Sequence, residues 1–214
     1  MAKIIAIENS KGGSTKSTDS TNLARGLQLQ GNSVLLVDRD PQGTTTQWRE
    51  ISNREDYPMV LCVDKDSIGQ IKKISDNFDY VIIDGASKVQ EILVSSIKVA
   101  DLVLIPLQPS WADAVALKEL VSIIKLRQEI TDGVPKAAFL IAREKKKTIV
   151  AEKIEEVLEV YDLPVLQNRI SDSVIYNEAF GTGRTVFDVN TPAAREKAAE
   201  IEAIIDELKQ RRLI

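Results

Sequence analysis

Asn9-Ser10-Lys11-Gly12-Gly13-Ser14-Thr15-Lys16-Ser17-Thr18 is entered from the apolar run Ile4–Ile7 and followed at once by a helical pattern over Ser17–Gln30. This stretch decides the fold. A glycine-rich turn between a strand and a helix N-terminus aims backbone N–H groups at an anion, and the helix dipole favours negative charge there. A turn alone has no need of a Lys16-Ser17 pair at its helical end. Lysine at that place neutralises β- and γ-phosphate charge, and the Ser17 hydroxyl is placed to ligate Mg²⁺. The stretch therefore reads as a phosphate loop formed by Lys11, Gly12, Gly13, Ser14, Thr15, Lys16, Ser17 and Thr18. The strict pattern G-x-x-x-x-G-K-[ST] wants glycine at positions 10 and 15, where this chain has Ser10 and Thr15.

Outward from the loop, compact apolar runs at Val34–Val37, Val81–Ile83, Leu102–Ile105 and Ala138–Ile141 are expected strands. Lys88–Val99, Asp113–Ile130 and Thr148–Val160 carry helical periodicity between them. Continuous apolar strands suit a parallel sheet covered on both faces, and the intervening lengths suit crossover helices. The expected fold is thus α/β, a doubly wound, mostly parallel sheet with helices on both faces, in one domain over residues 1–214. Gly31-Asn32 and Thr131-Asp132-Gly133 are expected helix ends. Pro192 is expected to start a last helix with an apolar face of Ala199, Ile201, Ile204, Ile205 and Leu208.

Composition narrows the chemistry. With 214 residues, 43% hydrophobic and 28% charged, the chain is long and apolar enough for a substantial core and is not of disordered type. No apolar run approaches the ~18 residues of a membrane span. No secretory signal follows Met1, so the cytoplasm is the expected compartment. Histidine is absent, which removes imidazole bases and the usual zinc sites. Cys62, the one cysteine, forms no internal disulfide and, flanked by Val60, Leu61 and Val63, is expected in the core.

Two further segments bear acids at strand exits. Asp38-Arg39-Asp40-Pro41-Gln42-Gly43 follows the second strand, where α/β sheets bind ligands, and two carboxylates at spacing two can face one Mg²⁺–water site. Asp79-Tyr80-Val81-Ile82-Ile83-Asp84-Gly85 has the form of a Walker B strand, with Asp84 placed to hold Mg²⁺ through water.

The stretch Lys11–Thr18 resembles the deviant Walker A motif KGGxGK[ST][ST] of the ParA/MinD ATPases, and Asp38–Gly43 resembles their DxDPQG signature. The resemblance implies a P-loop NTPase of the deviant Walker A type that uses ATP and Mg²⁺. In it Lys11 is the signature lysine that crosses a sandwich homodimer to the partner's phosphates, and Lys16 serves the phosphates of its own chain. Asp40 positions the attacking water, and Asp38 stands behind the metal held at Ser17 and Asp84. Ile105–Ser110 with Asp113 resembles the segment lining the nucleotide and dimer face; Asp113 alternatively serves only as an acid in a helix's first turn. Arg143 follows a strand whose exit in the family lies near the base, and is either an adenine contact or a solvent-exposed arginine. Asn168-Arg169-Ile170 through Glu178-Ala179, Thr185–Asp188 and Pro192–Ala194 follow the order of small plasmid-type ParA partition proteins. Thr15 departs from the family's glycine, so a strained loop and slow turnover are expected.

Such short ParA-type proteins imply non-specific DNA binding as ATP dimers, a ParB-like or other adaptor that stimulates hydrolysis, and a nucleoid-associated location. The cargo is a plasmid, a chromosome region or a protein organelle such as the carboxysome. With a net charge of −4, DNA contacts must be local. Candidates are Lys145, Lys146 and Lys147, then Arg184 with Arg195, then Lys209, Arg211 and Arg212. The alternative, a MinD-like membrane-surface ATPase, calls for an amphipathic anchor. The last helix instead carries Glu200, Glu202, Asp206 and Glu207, so no stable membrane association is expected. A nitrogenase-reductase-like electron donor is excluded by the lack of cysteines, and the DxDPQG-like segment disfavours a biosynthetic ligase of the same fold.

Overall fold

Parallel strands buried on both faces need apolar side chains pointing both ways, and five of the expected runs meet that demand. The computed structural model describes residues 1–63, 68–87, 89–145 and 149–214. In chain order its elements are β1 (Lys3–Ile7), α1 (Lys16–Leu29), β2 (Val34–Asp38), α2 (Thr44–Ser52), β3 (Met59–Cys62), α3 (Ile68–Ser75), β4 (Tyr80–Asp84), α4 (Gln90–Val99), β5 (Leu102–Leu107), α5 (Trp111–Ala116), α6 (Lys118–Ile130), β6 (Lys136–Ile141), α7 (Ile149–Leu158), α8 (Val174–Gly181) and α9 (Pro192–Gln210). The six strands form one sheet in the order β3-β2-β4-β1-β5-β6, with every pairing parallel. The fold is the expected doubly wound α/β sheet.

Side-chain alternation divides the core. Ile4 and Ala6 pack under α4, α6 and α7 with Leu93, Ile97, Leu120, Ile124 and Ile154. Ile5 and Ile7 pack on the opposite face with Leu23 and Leu27 of α1, Trp48 of α2 and Ile201, Ile204, Ile205 and Leu208 of α9. Helix α9 begins as expected at Pro192, with the Thr191 hydroxyl accepting the Ala194 N–H at 3.1 Å. Ala199 points to solvent and is not part of its buried face. Gly26 allows α1 and α9 to approach: a Cβ there would lie 2.7 Å from Ile205 Cδ1.

Several boundaries differ from expectation for physical reasons. The helix expected over Asp113–Ile130 is two helices meeting at buried Leu117, which keeps helical dihedrals, so an apolar periodicity runs through the junction. Cys62 is exposed, not in the core, because β3 is an edge strand with only partly covered faces. Helix α4 starts at Gln90, and the expected starts at Lys88 and Thr148 lie outside the described residues. Helix α7 ends at Leu158, and a 3₁₀ turn over Glu159–Tyr161 follows. Among the described residues no helix is long and apolar enough to cross a membrane.

The register positions the site. Ile7 pairs with Asp84, and Asp38 also pairs with Asp84, so β1, β4 and β2 end level with one another. The chain leaves β1 toward β2 on one side and returns to β5 on the other. That reversal opens a crevice at the carboxyl edge, where the loop 8–15 and both acidic strand exits meet.

Candidate nucleotide site

Asn9 ties the loop to the sheet. Its Nδ2 donates to Pro106 O at 2.7 Å, and its Oδ1 accepts the Lys11 N–H at 2.8 Å. Gly13 (φ 74°) and Thr15 (φ 66°) take left-handed conformations, and α1 begins at Lys16. The left-handed turn that motivates concern at position 15 is therefore present. Lys16 Nζ folds back over the loop, donating to Ser87 Oγ at 2.7 Å and Asn9 O at 3.1 Å. Burial holds its pKa below the usual lysine value, against the opposing pull of Asp84, Glu8 and Asp40. Beside it lies a cavity of about 240 Å³ lined by Gly13, Ser14, Thr15, Lys16, Ser17, Thr18, Asp40, Thr44, Ser87, Arg143 and Phe180.

The acids differ in their commitments. Asp84 is fully buried; its Oδ2 accepts from Thr45 Oγ1 at 2.6 Å, its Oδ1 accepts from Ser20 Oγ at 3.4 Å, and the Ser17 hydroxyl lies nearby. Burial raises its pKa to about 6, with Thr45 and Ser17 pulling the other way. Asp38 accepts the Asp40 N–H on Oδ1 at 3.0 Å and the Thr46 N–H and hydroxyl on Oδ2 at 2.7 and 2.8 Å. Asp38 thus secures the start of α2 and does not line the cavity. Asp40 does line it, and its Oδ1 accepts the Gln42 N–H at 2.9 Å.

Lys11 and Asp113 meet each other outside the cavity. Their side chains form an ion pair in which Lys11 is 50% exposed and Asp113 only 4%. The carboxylate is set by the start of α5, where Ser110 Oγ accepts the Asp113 N–H at 3.2 Å. Arg143 (φ 52°) follows β6 and borders both the main cavity and a smaller one formed with Asp19, Ser171 and Tyr176.

Three buried ionisable groups next to the site escape a reading of pattern. Glu8, one residue beyond β1, is fully buried, and neither carboxylate oxygen has a hydrogen-bond partner in good geometry. Burial pushes its pKa up to about 8; the nearby Ser96 hydroxyl, Lys16 and Arg39 oppose that rise, and Asp84 adds to it. The Ser96 hydroxyl is itself committed to Ile92 O at 3.0 Å. A Cβ on Gly85 would stand 2.0 Å from Glu8 Oε2, so any larger residue there requires the Glu8 carboxyl to move. Arg39, between the two acids, donates to Ser95 Oγ at 2.6 Å beneath α4. Asp19 lies under the loop, its pKa raised to about 8 chiefly by burial, with the Thr15 hydroxyl lowering it. The only sequence signals were a charge directly after an apolar strand and an arginine between two aspartates.

The basic candidates fall in separate stretches. Lys145 pairs with Asp172 at 3.8 Å, and Arg184 and Arg195 are exposed. Lys209 Nζ donates to Gln30 Oε1 at 2.6 Å, Arg211 pairs with Glu207 at 2.7 Å, and Arg212 is exposed. Lys146 and Lys147 lie outside the described residues.

The site fits a magnesium nucleotide by its donor chemistry. Ser17 and Asp84 offer hard oxygen ligands close to one another, and Mg²⁺ typically takes one or two protein oxygens with phosphate and water for the rest. The loop's left-handed turns and Lys16 supply the anion side.

A sequence profile described as an AAA domain matches residues 2–70 and 64–137. The carboxysome distribution protein A of Halothiobacillus neapolitanus is 28% identical over 208 residues, covering 95% of each chain. Sporulation initiation inhibitor protein Soj of Bacillus subtilis is 28% identical over 229 residues, covering 87% of this chain and 90% of Soj. Among solved structures, an McdA variant of Cyanothece in complex with ATP superposes with a TM-score of 0.79 at 18% identity, covering 97% of this chain and 96% of that one.

Proposed function

For a chain that belongs to the AAA-domain family, and within it to the ParA/MinD-type Walker A ATPases, we propose the role of a positioning ATPase in one domain spanning residues 1–214. ATP and Mg²⁺ bring two copies together as a sandwich dimer. The dimer binds DNA without sequence preference in the cytoplasm, on the nucleoid, and a ParB-like or other adaptor ends that state by stimulating hydrolysis.

One observation carries the sandwich reading. Of the two loop lysines only Lys16 borders the chain's own cavity, whereas Lys11 stands outside it on Asp113. A cation on a phosphate loop that does not face its own phosphates is placed to serve another chain's. In this reading Lys16 and the loop N–H groups bind the β- and γ-phosphates, Thr18 lies beside them, and Ser17 and Asp84 hold Mg²⁺. Asp38 keeps Asp40 and the start of α2 in place behind the metal. Bound Mg²⁺ neutralises phosphate charge. Asp40 accepts a hydrogen bond from the attacking water and orients it. Arg143 packs beside the base. Turnover is slow, below the ~1 s⁻¹ lower end of ordinary enzymes, so that the DNA-bound state outlasts diffusion.

The near full-length likeness to a carboxysome distribution protein supports a second reading of the cargo, a protein organelle in place of a plasmid or chromosome region. The enzymology is common to both. Filter binding of two unrelated duplexes at several salt concentrations tests the DNA step. ATP-dependent, salt-sensitive binding to both is expected, weakened uniformly when Lys145, Lys146 and Lys147 are neutralised together. ATP-dependent liposome pelleting without DNA binding would instead favour the MinD-like alternative.

A further inference from the structure

Thr15 stands in a left-handed conformation, φ 66° and ψ 0°, immediately before Lys16. Glycine reaches that region freely; a β-branched residue is a rare occupant. A threonine preceding a helix ordinarily turns its hydroxyl onto a backbone N–H of the first turn, but Thr15 makes no such bond. Its hydroxyl lies 2.5 Å from Asp19 Oδ2 and 2.6 Å from Ser14 O. Thr15 O also accepts the first helical bond, from Asp19 N at 2.8 Å. Asp19 therefore grips Thr15 twice, through main chain and side chain. Asp19 is only 1% exposed, and a buried carboxyl is costly unless it is partnered.

We propose, resting on the phosphate-site reading above, that Asp19 is a positioning residue for nucleotide binding. Its carboxyl fastens the Thr15 side chain and so holds the residue before Lys16 in the turn that glycine would adopt unaided. Thr15 and Asp19 together replace the glycine that a strict phosphate loop has at position 15. The physical consequence is coupling: Asp19 matters to nucleotide only while residue 15 has a hydroxyl to hold.

The test is a double-mutant cycle read as affinity for a fluorescent ADP analogue with Mg²⁺. The four proteins are wild type, Asp19→Ala, Thr15→Gly and the double variant, each first melted without nucleotide. Asp19→Ala is expected to weaken affinity about tenfold with Thr15 present and less than about twofold with glycine there, a coupling of ~1 kcal/mol. Asp19→Asn, which keeps an acceptor oxygen, should restore most of the affinity. If Asp19→Ala does not melt cooperatively, Thr15→Val, which keeps the shape and loses the hydroxyl, takes its place and should show the same tenfold loss. Equal weakening by Asp19→Ala in both backgrounds, or wild-type affinity in Thr15→Val, would overturn the proposal while leaving the phosphate site standing. No nucleotide binding by wild type would overturn both.

Discussion

Replacing Glu8 by glutamine should stabilise the protein by an amount that grows with pH. An ordinary glutamate ionises near 4.5, and burial raises Glu8 to about 8. The folded state therefore binds the Glu8 proton more tightly than the unfolded state. The stability tied to that proton is fully present below about pH 4.5 and is lost as pH rises through 8. Across that interval wild type loses ~1.4 kcal/mol per pH unit relative to a residue that does not titrate, with ~5 kcal/mol as an upper limit. Glutamine keeps nearly the same shape against Gly85 and removes the titration; any cost of its amide group is independent of pH. Urea unfolding of both proteins at pH 5.5, 7 and 8.5, followed by circular dichroism, gives the difference directly, and contributions from groups that do not interact with Glu8 cancel in it. A gap between Glu8→Gln and wild type that widens by at least ~1 kcal/mol per pH unit between 5.5 and 7 is expected. A gap constant across the three values would refute the buried-acid argument.

Other outcomes follow from contacts already described. Gly183→Ala should destabilise by ~2–4 kcal/mol, because φ is +66° and a Cβ would sit 2.5 Å from Ser52 N; a melting temperature within a degree of wild type contradicts this. Trp48→Ala should cost ~3–5 kcal/mol in urea unfolding, since the ring is buried, stacks on Tyr57 at 5.2 Å and donates Nε1–H to Arg184 O at 3.0 Å. Asp40→Ala should retain nucleotide affinity and lose phosphate release, which equilibrium titration and a phosphate assay separate. Asp113→Asn should tighten ATP-dependent association by about fivefold per lysine, as ~1 kcal/mol of a half-exposed pair no longer opposes release of Lys11; unchanged sedimentation would contradict that role.

The parallel sheet was legible because five of its strands are buried on both faces, and burial of that kind writes an uninterrupted apolar run. β3 was not legible for the complementary reason. At the sheet edge, Met59 and Cys62 are exposed and the strand carries no full run or clean alternation. Helix α2 was missed because Thr44-Thr45-Thr46-Gln47 has no apolar stripe; it is anchored by Trp48 and by bonds from Thr45 and Thr46 to Asp84 and Asp38. At the candidate site, the lysines, glycines and strand-exit acids stand out by their order along the chain. What order could not disclose was how side chains are engaged. Lys11 pairs with Asp113 far along the chain, Glu8 is sealed by burial, and Asp38 and Asp19 turn to Thr46 and Thr15 nearby, contacts that spacing alone does not specify.

The proposed joining of two copies by ATP through Lys11 is open to one measurement. Sedimentation equilibrium of wild type and Lys11→Ala, each with Mg²⁺ and either a non-hydrolysable ATP analogue or ADP, tests it most directly. Wild type is expected to double its mass with the ATP analogue alone, and Lys11→Ala to bind the analogue but stay a monomer. Equal association of the two proteins, or association of wild type with ADP as strong as with the ATP analogue, would contradict it.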